Sequence, residues 1–193
     1  NPSFIVAMQH SGWSEFGKTL IVGRMIDTKD WLKASWDAGK DLLRPGARHA
    51  TGDEKPAAKT PVMVPIRALG PTYRERIAQH LLQLEPEDRY LRFGYAANDE
   101  QVRRYAEQLD FERDEIFGIY NRRLELIAMA HLAFSQHPEH KHCAEFGVSV
   151  LKQARGRGFG ARLFDRAVMH ARNEGVNMVF IHALSENTAM LKI

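Results

Sequence analysis

The chain has 193 residues, 44% of them hydrophobic and 26% charged, enough to fill one core and leave a smaller appendage. A net charge of +3 is too small to argue for nucleic acid and allows only a preference for anionic ligands. No apolar run approaches the ~20 residues of a membrane span, no basic-then-apolar leader is visible, and a lone Cys143 excludes an internal disulfide and suits a reducing cytoplasm.

Residues 4–8 read as a short strand, and residues 20–26 as an apolar run open to either helix or strand. Residues 30–43 suit a helix with Trp31, Ala34, Ala38 and Leu42 along one side. Residues 44–60 mix Pro, Gly, Ala and charge without periodicity, as a linker does. A boundary near residue 60 follows, with residues 1–43 a small N-terminal extension and residues 61–193 the main domain. The chain opens at Asn1 and stops at Ile193 inside a helix-like run, so it is expected to be a piece of a longer protein.

In the second unit, residues 62–69 read as a strand whose Pro65 suits a sheet edge. Thr72 with Glu75 has the capping-box spacing ahead of a helix faced by Ile77, Leu81 and Leu84. Asn98 with Gln101 opens a second helix, faced by Val102, Tyr105, Ala106 and Leu109. Residues 115–120 and 124–134 form an expected antiparallel hairpin around Asn121, and residues 144–150 another strand. Residues 160–173 then make a helix with Leu163, Phe164, Ala167, Val168 and Ala171 inward, closed by Gly175 at C′. Residues 178–184 are a last strand, and a helix begins after Ser185. Two helices are thus expected between the first strand of this unit and the hairpin.

The chemistry concentrates where the strand of residues 144–150 meets the helix. Gly156, Gly158 and Gly160 alternate in the loop between them, flanked by Arg155 and Arg157. Glycines allow close backbone approach, the helix start offers unpaired amides and the positive end of its dipole, and arginine grips phosphate oxygens at two points. A phosphate-bearing cofactor held mainly by the main chain is the reading. A dinucleotide fingerprint does not fit, because G-x-G-x-x-G spacing fails where the glycines alternate strictly and position 161 is Ala.

The segment from Arg155 through Gly156, Arg157, Gly158, Phe159 and Gly160 to Ala161 resembles the Q/R-x-x-G-x-G/A signature of the GNAT superfamily of N-acetyltransferases, and the order of elements from about residue 61 resembles that fold. Tyr90-Leu-Arg-Phe93 and Glu186-Asn-Thr-Ala-Met-Leu191 further resemble the bacterial protein-lysine acetyltransferase (Pat-like) branch. The resemblance implies an α/β fold with a mixed, mostly antiparallel sheet flanked by helices on both faces, its last strands lying beyond Ile193. It implies acetyl-CoA as cosubstrate without a metal, an amine acceptor that is either a protein lysine or a small molecule, and no nucleic-acid or membrane partner. Residues 155–161 would wrap the coenzyme pyrophosphate. The strand through Val148, Ser149 and Val150 would splay from the strand of residues 179–184, with Asn187 on the pantetheine arm. Asn187 equally reads as a helix N-cap. A domain of this kind that senses acetyl-CoA without turning it over is the alternative to an enzyme.

Acetyl transfer to an amine also needs a proton acceptor, since an amine of pKa ~10.4 is neutral in only about one molecule in two thousand at pH 7. Glu145, early in the strand that leads to the glycine loop, is the expected base, much as in protein-acetylating relatives. Glu125 is held in reserve because alternation places it with Ile127, Met129 and His131. The acid that protonates the departing thiolate would lie past Ile193. Other patterns are weaker. Gly12 to Thr19 fits the P-loop expression but has too little chain around it for a nucleotide-binding sheet. His137, His140, His142 and Cys143 are crowded in what reads as a solvated hairpin connection rather than a zinc site. His131 either packs or faces the acceptor cleft.

Overall fold

The computed structural model describes residues 21–30, 33, 34 and 64–184. Expectations for residues 4–8, the P-loop pattern at residues 12–19, most of the helix over residues 30–43, the linker, Asn187 and the helix after Ser185 lie outside the described residues.

The main strands and helices among the described residues are, in chain order, β1 (Ile21–Asp27), β2 (Ile66–Ala68), α1 (Arg74–Leu82), α2 (Pro86–Phe93), α3 (Asp99–Glu107), β3 (Glu115–Tyr120), β4 (Leu126–Phe134), β5 (Cys143–Val150), α4 (Phe159–Asn173) and β6 (Met178–Leu184). The sheet runs β1-β6-β5-β4-β3-β2. Every neighbouring pair is antiparallel except β5 and β6, which α4 joins as a crossover. Pro65 does precede an edge strand. The ambiguous run near residues 20–26 becomes β1, pairing from Ile21 with Leu184 to Asp27 with Met178. It comes from the segment assigned above to an N-terminal extension, yet it lies in the same sheet as the other five strands.

The two faces carry different layers. Phe146 meets Phe164 of α4 edge-on at 5.1 Å, and Phe117 meets His170 of the same helix at 5.7 Å. All five inward residues expected for α4 are buried. Its C-terminus closes as a Schellman motif, with Val176 N–H on Ala171 O at 2.8 Å and Gly175 N–H on Arg172 O at 3.0 Å, at a Gly175 φ of 79°. The helices α1, α2 and α3 cover the opposite face. The Asn98–Gln101 capping box opens α3 with both reciprocal bonds.

Three readings need correction. The pair Thr72 and Glu75 forms no capping box: a 3-10 turn occupies residues Pro71–Tyr73, and Tyr73 caps α1 without a side-chain bond. A third helix, α2, stands between the two expected ones. Its marks are Pro86 at the first turn and Gly94 at φ 80° just past the end, and a polar sequence hides its periodicity. Finally, β4 begins at Leu126, and its register with β3 steps from Ile119–Ala128 to Tyr120–Leu126. Ile127 is left as a bulge, so alternation from Met129 and His131 does not carry through to Glu125.

Two arginines pin the helical layer by capping carbonyls that helix ends leave unpaired. Arg74 donates to Ala106 O at 2.6 Å, Glu107 O at 2.7 Å and Leu109 O at 3.2 Å, beyond the end of α3. Arg89 donates to Leu82 O at 2.6 Å and to Asp99 at 2.6 Å, joining the end of α1 to the start of α3.

Candidate active site

The two parallel strands part company midway. Pairing of β5 with β6 runs from Cys143–Met178 to Phe146–Ile181 and stops, while β6 continues against β1 and β5 against β4. Among the described residues, the main chain of β5 from Gly147 to Val150 therefore has a strand partner on one side only. That opening leads directly to the glycine loop. Gly156 and Gly158 both hold left-handed backbone, at φ 74° and 72°, and open space lies where a Cβ would stand at either. Gly158 is the N-cap of α4, whose first turn carries no acidic residue. The first amides of that helix have no acceptor within it, and a diphosphate meets both donors and dipole there. Residues in this geometry fit a coenzyme's pyrophosphate.

Side chains of the expected cofactor residues divide by role. Arg157, Gly158 and Ala161 are exposed, whereas Phe159 is buried in the core and leaves only its main chain to a ligand. Arg155 turns back, donating to Val150 O at 3.3 Å and pairing with Asp88 of α2 at 2.5 Å. Ser149 is buried, and its hydroxyl meets His80 Nε2 at 2.8 Å. Because His80 Nδ1 lies 2.8 Å from the Leu126 carbonyl, that nitrogen carries the proton and Nε2 accepts from Ser149. Burial pulls the His80 imidazolium down to about 4; the Leu126 carbonyl opposes the shift and the Arg92 charge adds to it.

On the face covered by α1–α3 lies a pocket of about 320 Å³, and Glu145, Tyr105, His131, Asp114, Gln108 and Phe180 are among its lining. Glu145 pairs across the strands with Ala133, one position before the split. Glu125 lies elsewhere: it sits in the β3–β4 turn, accepting from Asn121 Nδ2 at 2.6 Å, and is not part of the pocket. Behind Glu145 runs a chain of polar contacts, from Arg92 Nη2 to the Tyr105 hydroxyl at 2.8 Å, on to His131 Nδ1 at 2.8 Å, and from His131 Nε2 to Asp114 at 2.9 Å. Burial pushes Asp114 up, but hydrogen bonds from Arg113 and His131 outweigh it and hold the carboxyl at about 2. Burial raises the Tyr105 phenol; Arg92 opposes this, and the carboxylates of Glu145 and Asp114 add to it.

The profile of the acetyltransferase (GNAT) family matches residues 76–193, more than half of the chain. The chain belongs to that family. Its structure is similar to the GNAT domain of S. lividans PAT (22% identity, TM-score 0.56, covering 66% of this chain and 76% of that one). It is also similar to an N-acetyltransferase from Staphylococcus aureus Mu50 (17%, 0.54, 67% and 78%) and to a GNAT acetyltransferase from Streptococcus pneumoniae (14%, 0.54, 67% and 80%). At these identities the likeness is one of fold. Among curated proteins no sequence matches. As a GNAT acetyltransferase the chain uses an acyl-CoA, and its six-stranded, mostly antiparallel sheet is the GNAT arrangement. No helix among the described residues is long and apolar enough to cross a membrane.

Sequence reasoning missed Tyr105 and Asp114 as parts of this GNAT pocket, and Arg92 as the donor to the Tyr105 hydroxyl. Tyr105 had a signal: a hydroxyl placed on the apolar face of α3 needs a polar partner inside. Arg92 carried only the Tyr90–Phe93 resemblance, and Asp114 had no signal, since His131 reaches it from β4. Elsewhere, His137, Glu139 and His140 bring ligand atoms within 4.8 Å of one another on the exposed β4–β5 connection. His137 Nδ1 there already accepts the Glu139 amide at 3.3 Å. Cys143 is buried at the lining of the same pocket as Glu145, and burial raises its thiol.

Proposed function

We propose that the chain moves the acetyl group of acetyl-CoA to a primary amine by direct attack in a ternary complex. Main-chain amides of residues 155–161 hold the diphosphate, and the one-sided main chain near Val148 and Val150 pairs with the pantetheine arm. A backbone N–H in that opening polarises the thioester carbonyl. Asn187 is assigned to the same arm. Glu145 takes a proton from the amine as the new bond forms. One observation supports the reading: β5 parts from β6 after Phe146 and Ile181, so along β5 the pocket residue Glu145 stands just before the opening and the glycine loop follows just after it.

The acceptor we favour is a protein lysine. Tyr90-Leu-Arg-Phe93, resembling the protein-acetylating branch, forms the end of α2, and its Arg92 stands against Gly147 where the strands part, with Nη2 2.8 Å from where a Cβ would be.

Replacing Glu145 with Gln tests the assignment. Thiol release from acetyl-CoA, against a panel of lysine peptides and alkylamines, should fall roughly 10²–10⁴-fold, while coenzyme affinity by calorimetry stays as it was. Coenzyme binding with no thiol release from the unaltered chain, whatever the amine, would instead point to a sensor.

A further inference from the structure

Making an amide from an ammonium removes two protons from nitrogen, and one carboxylate holds only one of them. The pocket beside Glu145 contains a second acceptor. Tyr105 on α3 and His131 on β4 both line it. Asp114 is buried, and it accepts from Arg113 at 2.6 and 2.7 Å and from the Phe134 amide at 3.2 Å. An ionised carboxylate can only accept, so His131 Nε2 carries the imidazole proton toward it at 2.9 Å, and Nδ1 is left as an acceptor. Tyr105 therefore donates to Nδ1. Arg92 donates to the same phenol oxygen, so every donor in the chain Arg92, Tyr105, His131 points toward Asp114. A phenol oxygen has a second acceptor position beyond the one Arg92 occupies.

We propose that Tyr105, backed by His131 and Asp114, is a second proton acceptor of the pocket, distinct from Glu145. The inference rests on the acetyl-transfer reading. An ammonium at the Tyr105 oxygen gives it one proton while the phenol's own proton passes to His131 Nδ1, leaving an imidazolium beside the Asp114 carboxylate. The released nitrogen lone pair forms the bond to the thioester carbonyl carbon. Glu145 takes the second nitrogen proton, the C–S bond breaks with its electron pair staying on sulfur, and Glu145 returns that proton to the thiolate. His131 gives up its proton to water through Tyr105 once product has left. The charged and titratable groups around this path are Asp114 and Arg113 ahead of β3, Arg92 from α2 and Glu145 from β5.

Tyr105→Phe is the decisive variant, because it keeps the ring edge-on to Phe93 at 5.2 Å and removes only the hydroxyl. It is assayed in the whole chain with acetyl-CoA and the best acceptor from the lysine-peptide and alkylamine panel. Expected is a loss in kcat/KM for the amine of about 100-fold with coenzyme affinity unchanged. In H2O–D2O mixtures the rate of the unaltered chain should depend on deuterium along a curve, since more than one proton is in flight; that of Tyr105→Phe should fall on a straight line. His131→Gln, which can still hydrogen-bond Tyr105 but stores no proton, should give the same straight line and carries the test should Tyr105→Phe not fold. A merely structural staple would lower stability without straightening the curve. Wild-type turnover in Tyr105→Phe, or a curve that persists in both variants, overturns the relay and leaves acetyl transfer standing. Absence of thiol release from the unaltered chain overturns both.

Discussion

Mild acid should weaken this fold through one histidine. His80 is 1% exposed, clamped between Leu126 O and the Ser149 hydroxyl, and its imidazolium is pulled from 6.5 to about 4. In the unfolded chain the ring returns to about 6.5. Above that pH it is neutral in both states and adds no pH dependence. Below it, the unfolded chain binds a proton that the folded chain refuses, so stability falls by ~1.4 kcal/mol per pH unit until the folded ring protonates near 4. The loss totals about 3 kcal/mol, a large share of the ~5–15 kcal/mol typical of a domain. Urea unfolding of the unaltered chain and of His80→Gln, from about pH 7 to about pH 4.5, measures it. At about pH 7 the variant should be less stable by ~1–3 kcal/mol, having exchanged a fitted ring for a poorer pair of hydrogen bonds. That gap should then close by ~1.4 kcal/mol for each unit of acidification. Two curves that stay parallel across the window would refute the argument, because the pH dependence would then belong to other groups.

Asp114 acts in a separate window: its carboxyl, held at about 2, contributes stability that is present above about pH 4 and lost as pH falls toward 2, amounting to about 2 kcal/mol. Asp114→Asn should abolish that acid-dependent part in guanidinium titrations. Gly158→Ala forces an L side chain to φ 72° in open space, so it should lower stability by only ~1–2 kcal/mol. Calorimetry with acetyl-CoA should nonetheless show at least about tenfold weaker binding; unchanged affinity would remove the loop from the coenzyme site. Gly147→Ala places a Cβ 2.8 Å from Arg92 Nη2, whose guanidinium is held by the Tyr105 hydroxyl and lies 5.4 Å from the ring centres of Phe93 and Tyr105. A melting point lowered by a few degrees, corresponding to ~1–3 kcal/mol, is expected, and Arg92→Ala should relieve it in a double-mutant cycle.

Much of the GNAT fold was legible because its signals are local. The inward stripe of α4 repeats with the helical period, Gly175 stands where a left-handed C′ residue belongs, and Asn98 with Gln101 satisfies the first amides of α3. The glycine loop between a strand and a helix start could be read in the same way. Local signals also misled. Thr72 and Glu75 have capping-box spacing, but Pro71 opens a 3-10 turn there instead. One bulged residue, Ile127, was enough to move Glu125 off the face that holds His131. Since strand alternation has a period of two, a single extra residue inverts every assignment beyond it.

By itself, then, the chain's order of residues determined most of the elements, the family signature and the place of Glu145 on a strand ahead of the loop. Tertiary structure alone decided three things: that residues 21–27 join the sheet beside β6, that β5 and β6 separate after Phe146, and that Tyr105, His131 and Asp114 meet. Those contacts link positions 26 and 17 apart, and farther in the sheet. No period or spacing encodes them, because they form only when separately folded faces are pressed together and each buried polar group takes whichever partner the packing supplies.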